Sequence, residues 1–368
     1  MNRGLRLLGL LVLMALFGTA VYFGLGHFTG ARALRKTALT PDKTHATVDL
    51  PGTILVVQNG TIYRLQGGTF KAMTAGSWTQ PSITPDGQHL IVVKQELNYS
   101  DLYELSLNGQ IERQLTDNAS GTVQYNHWSF HPMVSAAGTL FYDYDQKYFL
   151  GSNQVDLWVY AMPLGAQQSR AQPWTTPNFS TGGDIQPLPL RSGGIIYSNY
   201  FGDQTTGYVW SQLWYTAAAG DAGHTLTPST QNCASPALNP AQTMLAMVCL
   251  SKTGEQAQIV VAPLQGNQLG PQTVVATGMV NSPTWSPDGK SLLYLQGTGS
   301  DGYFQLYYQQ VMAAAPTPTP SPSSSPRHDR STPTPTPAPT PALIVHPSPP
   351  RQLTTDDNFQ ATSAPIWY

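Results

Sequence analysis

The sequence predicts an all-β chain: a six-bladed β-propeller with ring closure by its C-terminal strand, preceded by one N-terminal transmembrane helix. Three observations carry this expectation. A Pro-x-x-x-Pro-Asp-Gly unit followed by a strand-like run recurs along the chain. Short β-branched and aromatic runs alternate with turn residues. A long uncharged stretch stands near the start.

The repeat is clearest in two places. Pro283-Thr284-Trp285-Ser286-Pro287-Asp288-Gly289-Lys290 leads into Ser291-Leu292-Leu293-Tyr294, and Pro81-Ser82-Ile83-Thr84-Pro85-Asp86-Gly87-Gln88 leads into His89-Leu90-Ile91-Val92-Val93. Weaker copies begin at Pro187 and Pro236, another centres on Trp128-Ser129, and the last is Pro365-Ile366-Trp367-Tyr368. A third strand is expected at Asp101–Leu105, Asp156–Tyr160, Gln212–Tyr215, Gln258–Val261 and Gln305–Tyr308. A fourth is expected at Arg113–Thr116, Leu226–Thr227, Val274–Val275 and Arg351–Thr354. A unit of about 45–60 residues with four strands is a propeller blade. One blade cannot bury both of its faces, so the blades must close into a ring.

The two ends of the repeat region complement each other. The first unit offers Gly52–Val57, Thr61–Leu65 and Thr69–Thr74 but no first strand, whereas Ser363–Tyr368 is a first strand with nothing after it. Pairing them completes the first blade, leaves no open sheet edge and gives six blades. Residues 315–350, rich in Pro, Thr and Ser, contain almost no core-forming side chain and read as a disordered, extended insertion in the last blade.

The Trp-Ser-Pro-Asp-Gly-Lys run, the Leu-Leu-Tyr strand after it and the Arg-Gln-Leu-Thr run resemble the TolB-like propeller repeat. The resemblance covers about Thr53 to Tyr368 apart from the Pro-rich insertion. It implies a propeller of the cell envelope that binds envelope partners. Because this repeat also occurs beside hydrolase domains, it implies an alternative: a hydrolase or lactonase-like enzyme with its site over the central channel.

Outside the repeats, Leu7 to Gly26 is a run of 20 residues without a charge. As a helix it spans roughly 30 Å, the thickness of a bilayer core. Residues 1–30 are therefore expected to be an anchor or uncleaved signal, 31–50 a linker and 51–368 the propeller. Ala31-Arg32-Ala33 offers a signal-cleavage alternative. Basic residues stand on both sides of the run: Arg3 and Arg6 before it, Arg32, Arg35, Lys36 and Lys43 after it. That count favours a cytoplasmic body. A weakly charged body and a Thr/Pro-rich segment favour export, and a single-pass protein with an extracytoplasmic propeller is the expectation. Charged residues are 10% of the chain against roughly 25% in ordinary soluble domains. With a net charge of −2 and no basic cluster in the body, no nucleic-acid partner is expected.

Catalytic, cofactor and metal sites are not expected. Asp86 and Asp288 read as turn formers. Gly297–Gly302 spells a dinucleotide fingerprint but precedes a strand, not the helix that would hold a pyrophosphate. His127 and His131 are four residues apart but flank a strand end and a turn, not the helix face that would pair them on a metal, and Asp143, Asp145 and Asp156 read as a solvated strand end sooner than a calcium site. Cys233 and Cys249 fall opposite each other if the fifth hairpin centres on Ala241, which allows a disulfide; two small buried thiols are the alternative.

One face of the expected ring carries the second-to-third-strand loops and the links between blades. On it fall Tyr125, Asn126, Tyr144, Tyr148, Phe149, Tyr200, Phe201, Tyr208 and Trp210. Aromatic side chains mixed with polar groups on loops make a recognition surface. The function expected is thus non-catalytic binding of an envelope protein or glycan.

Overall fold

In a computed structural model, residues 50–145, 155–177, 181–202, 207–250, 256–298, 303–314, 343–355 and 357–368 are described. They fall in one of the two compact units of the chain, Thr44–Tyr368; the other, Met1–Lys43, lies outside them, and so does the expected membrane segment. Among the described residues no helix is long and apolar enough to cross a membrane.

Six antiparallel blades form. Their innermost strands are Ile366–Trp367, Trp78–Ile83, Ser129–Val134, Asp184–Pro189, Asn232–Leu238 and Val280–Trp285. Each packs beside the next, and the series closes on itself. The last strand pairs with Ile54–Gln58 through Ile54↔Trp367 and Leu55↔Ile366, so blade 1 is built from both ends of the repeat region. Thr53 and Tyr368 extend the closure by exchanging backbone hydrogen bonds of 2.7 and 3.0 Å.

The second strands explain why this ring is stable. In His89–Gln95, four consecutive residues are buried. Leu90 and Val92 pack against Leu55, Val57 and Ile62 of blade 1. Ile91 and Val93 pack against Phe130, Leu140 and Tyr142 of blade 3. Side chains alternate across a strand, so a sheet covered on both faces reads as an unbroken apolar run. Met244–Leu250 and Ser291–Thr298 repeat the device in blades 5 and 6.

The recurrent sequence signatures each have a structural job. In Pro85-Asp86-Gly87, Asp86 Oδ1 accepts from Thr84 Oγ1 at 2.6 Å and from Gln88 N at 3.1 Å. Asp288 does the same with Ser286 Oγ and Lys290 N. Gly87 and Gly289 both take φ of 69°, a region that costs an L residue with a Cβ about 1–2 kcal/mol. In Arg-Gln-Leu-Thr, the Leu is core (Leu115, Leu353) and the Thr hydroxyl accepts the first free N–H of the third strand: Leu102 N to Thr116 Oγ1, Leu306 N to Thr354 Oγ1. Thr74, Thr175 and Thr227 repeat this in blades 1, 3 and 4. The Gln side chain donates to the same Thr carbonyl in both full copies, at 2.7 Å.

Some boundaries differ from the sequence reading. The fourth strands of blades 2 and 4 lie at Ile111–Gln114 and His224–Thr225, two residues earlier than expected. Leu-Thr is the exit from that strand, not its centre. Blade 3 adds Gln172–Pro173 as its fourth strand. Within the stretch read as insertion, Leu343–Val345 pairs with Met312–Ala314. This apolar triplet, two of its three residues β-branched, forms a stem at the insertion's base; residues 315–342 lie outside the described ones. Cys233 and Cys249 are directly opposed and joined by a disulfide. In the chain-entropy account a cross-link over such a loop stabilises by about 3 kcal/mol.

Candidate functional site

Two ends of the ring can be distinguished. The turn end carries the Pro-Asp-Gly turns and the third-to-fourth-strand connections; the loop end carries the second-to-third-strand loops and the inter-blade links. Around the axis between them runs a polar belt that the sequence reading did not foresee. Five inner strands contain an X-Pro pair, Gln80-Pro81, His131-Pro132, Gln186-Pro187, Ser235-Pro236 and Ser282-Pro283, and Ala364-Pro365 directly precedes the sixth. Proline cannot donate to the ladder, and a β-bulge falls at this pair in blades 2 to 6. The residue before it takes positive φ in all five: 45°, 46°, 60°, 53° and 54°.

In blades 2 to 5 that backbone turns its N–H toward the preceding blade, whereas in blade 6 Ser282 N donates to Asn281 Oδ1 (2.8 Å). Gln80 N donates to Ser363 Oγ (2.9 Å), His131 N to Gln80 Oε1 (2.8 Å), Gln186 N to Asp143 Oδ1 (3.1 Å) and Ser235 N to Gln186 Oε1 (2.9 Å). Each of these bonds crosses from one blade to the preceding one. An L residue in this region costs about 1–2 kcal/mol, which a buried hydrogen bond of similar worth offsets.

His131 and Asp143 form the belt's most charged link. Because Gln80 Oε1 must accept the His131 backbone N–H, its Nε2 faces His131 Nε2 and donates to it at 3.1 Å. The imidazole proton therefore sits on Nδ1, which donates to Asp143 Oδ2 at 2.5 Å. Burial raises the Asp143 carboxyl above the usual carboxylate range, with His131 and Gln186 N opposing. A general base needs a nitrogen free to take a proton from a reacting group; both of these ring nitrogens are engaged. His127 is engaged as well, its Nδ1 2.7 Å from Asp145 O and its ring stacked on Tyr144.

Asp184 adds a titratable group beside this link. Its Oδ1 accepts from Asn199 Nδ2 at 2.6 Å. Burial first, and the charge of Asp143 as a lesser cause, push its carboxyl up to about 6, while Asn199 and Thr175 pull it down. Between about pH 4 and 6 the folded protein thus holds a proton that the unfolded chain, near 3.8, has released. Asp184's contribution to stability is full below about pH 4 and declines as pH rises through 6. Asp184→Asn, which keeps the acceptor for Asn199, should stabilise the protein by roughly 2–3 kcal/mol at pH 7.5 and by little at pH 4. Urea midpoints at the two pH values check this, and equal effects at both would contradict it.

The aromatic residues singled out in the sequence are placed differently from one another. Tyr125 and Tyr208 stand exposed at the loop end, at 42% and 61%. Tyr200, Phe201 and Trp210 are half-buried, the last two opposite each other in blade 4. Tyr144 packs into the interface between blades 2 and 3, its ring centre 5.0 Å from that of Tyr160, and burial pushes its phenol up to about 12. Asn126 is buried and accepts Ser120 N at 2.6 Å, shaping the link it lies on. Tyr148 and Phe149 lie outside the described residues.

Beside Tyr125 and Tyr208, which the sequence singled out, the exposure of other apolar side chains at the same end was the signal missed. Twelve large apolar side chains stand exposed among the described residues. Nine lie at the loop end: Leu97, Val123, Tyr125, Val155, Tyr208, Val209, Leu250, Met279 and Tyr303. They come from the loops or links of blades 2 to 6. Such residues are visible in the sequence as apolar positions at strand ends, where polar turn formers are the rule.

Basic side chains gather at one of the same two ends, while carboxylates stand at both, Asp86, Glu104, Glu112, Asp221 and Asp288 being toward the turn end. Of the eight Lys and Arg side chains in the described residues, Arg64, Lys71, Arg113, Arg170, Arg191, Lys290 and Arg351 lie toward the turn end, and Lys94 alone lies toward the loop end. Glu96, Asp101, Asp117, Asp145, Asp156, Asp184 and Asp357 lie toward the loop end. Among the described residues one His/carboxylate trio has ligand atoms within 4.8 Å of one another, His89, Glu104 and Glu112, toward the turn end. Its Glu104 is already neutralised by the Arg113 guanidinium. Asp143, Asp145 and Asp156 do not converge in that way.

No family model matches the chain, and no curated protein does. Solved structures do. TolB from Acinetobacter baumannii superposes with a TM-score of 0.55 at 17% identity, over 72% of this chain and 62% of that one. The fold is the TolB-like propeller. This chain accordingly spans about 62% of the length of that TolB. A TolB-like protein from Agrobacterium tumefaciens has a TM-score of 0.47 at 14% identity, over 70% of this chain and 83% of that one. A puromycin-hydrolysing peptidase from Mycobacterium tuberculosis has a TM-score of 0.44 at 13% identity, over 73% of this chain and 45% of that one. At such identities the likeness is one of fold.

Proposed function

We propose that this chain is a non-catalytic binding or scaffold propeller, tethered to the membrane through Leu7–Gly26 and contacting an envelope protein or glycan with its loop end. The observation that carries the reading is the gathering of exposed apolar side chains at that one end. Exposed apolar side chains gathered at one end among polar groups mark an interaction surface. The Cys233–Cys249 disulfide supports a propeller in an oxidising compartment. The enzymatic alternative rests on the His131–Asp143 pair near the channel. It is disfavoured because the pair is absorbed in the inter-blade belt.

A photo-crosslinking side chain placed at Leu97 or Tyr208 should trap a partner in intact cells, whereas one at Ile111, exposed at the turn end, should trap none. Equal yields from all three positions, or from Ile111 alone, would remove the loop end from consideration.

A further inference from the structure

The proposed loop-end docking surface can be given a partner chemistry, and the inference rests on that reading. Two independent features coincide there: the exposed apolar rim, and the gathering of basic side chains at the turn end that leaves Lys94 as the lone basic side chain of the loop end among the described residues. Lys94 pairs with Glu96 at 3.2 Å, so the two together add no net charge to that end, whereas Asp117 stands exposed there. Acids buried beneath the rim act through low-dielectric protein, which focuses their field outward. We infer that the loop end receives a cationic amphipathic segment of a protein partner, its apolar side chains meeting the rim around Leu97, Tyr125 and Tyr208 and its Lys or Arg side chains facing Asp117.

The same charge disfavours other occupants. Anionic lipid headgroups and acidic glycans meet like charge at this end, which costs affinity and slows encounter. A neutral sugar gains the aromatic contacts but nothing from the field.

The test uses the full chain in nanodiscs of uncharged lipid, with empty discs subtracted, and two fluorescent peptides of about 14 residues. They share one Leu/Trp pattern and carry about four Lys or about four Glu at the remaining positions, giving opposite charge. The Lys peptide is expected to bind at least about tenfold more tightly than the Glu peptide, and to lose about fivefold or more when salt rises from about 50 to about 300 mM. Glu96→Lys with Asp117→Lys should abolish the Lys preference. Glu112→Lys with Asp221→Lys, exposed at the turn end, should preserve it.

No binding of the Lys peptide, or equal binding of both peptides, overturns the inference. Leu97→Ser with Tyr208→Ser separates the two readings. If this pair weakens both peptides equally with no preference for Lys, the docking surface stands and the cationic partner falls. If it weakens neither while charge reversal removes the Lys preference, the apolar surface itself falls.

Discussion

Asp143→Ala should lower stability by about 3–5 kcal/mol, a large loss for a single truncation. The side chain is fully buried, at 0% exposure, and receives two donors from different blades: His131 Nδ1 from its own inner strand and Gln186 N from blade 4. Removing it strands both donors inside the ring and leaves a cavity. The Gln186 N–H has no second use, because its residue is held at φ 60° in front of Pro187 and its backbone cannot turn to another acceptor. Asp143→Asn keeps one acceptor oxygen but aims an NH2 at the remaining donor, so a loss of about 1–3 kcal/mol is expected. His131→Ala combined with Asp143→Ala should cost less than the two separate losses added, because the first removes one of the donors that the second strands. Urea unfolding of the four proteins at one pH provides the measurement. A loss below about 1 kcal/mol for Asp143→Ala would show that the belt does not bear on stability.

How much of this was legible beforehand follows from the range of each interaction. The second and third strands were readable because their pattern is local: His89–Gln95 and Ser291–Thr298 show their two-sided burial as runs of apolar residues. Ring closure was readable because a missing first strand and a surplus one complement each other. The opposition of Cys233 and Cys249 followed from counting along one hairpin, although a bulge between Ala234 and Ala237 lies between them and its turn. The belt was different. Its prolines had been noticed as punctuation, but the residue before each matters only once the preceding blade supplies an acceptor, and Gln80 and His131 are 51 positions apart. No window along the sequence contains both. The recognition surface fell between these cases. Tyr208 and Tyr144 are both tyrosines near loops of adjacent blades, yet one projects into solvent and the other packs on Tyr160. Only the direction of each strand end decides which.

Trp367→Ala tests closure of the ring, and a loss of about 3–5 kcal/mol is expected from truncating a buried indole. Trp367 is 7% exposed, its Nε1 donates to Pro51 O at 2.7 Å, and its ring meets Tyr308 of blade 6 edge-on at 6.1 Å. It therefore holds together the start of blade 1, its inner strand and the last blade. That inner strand is short, with the pairs Ile54↔Trp367 and Leu55↔Ile366 and the Thr53–Tyr368 backbone bonds beside them, so few other contacts compensate. The damage should be local at first. Amide exchange should accelerate in Ile54–Gln58 before it does in blades 3 and 4, because the weakened strand uncovers the edge of its neighbour. Trp367→Phe separates packing from the Nε1 hydrogen bond and should cost about 1–2 kcal/mol, with exchange in blade 1 close to that of the parent. Uniform acceleration across all six blades in Trp367→Ala would mean that the ring opens as one cooperative unit. The two ends of the repeat region would then not be its point of first separation.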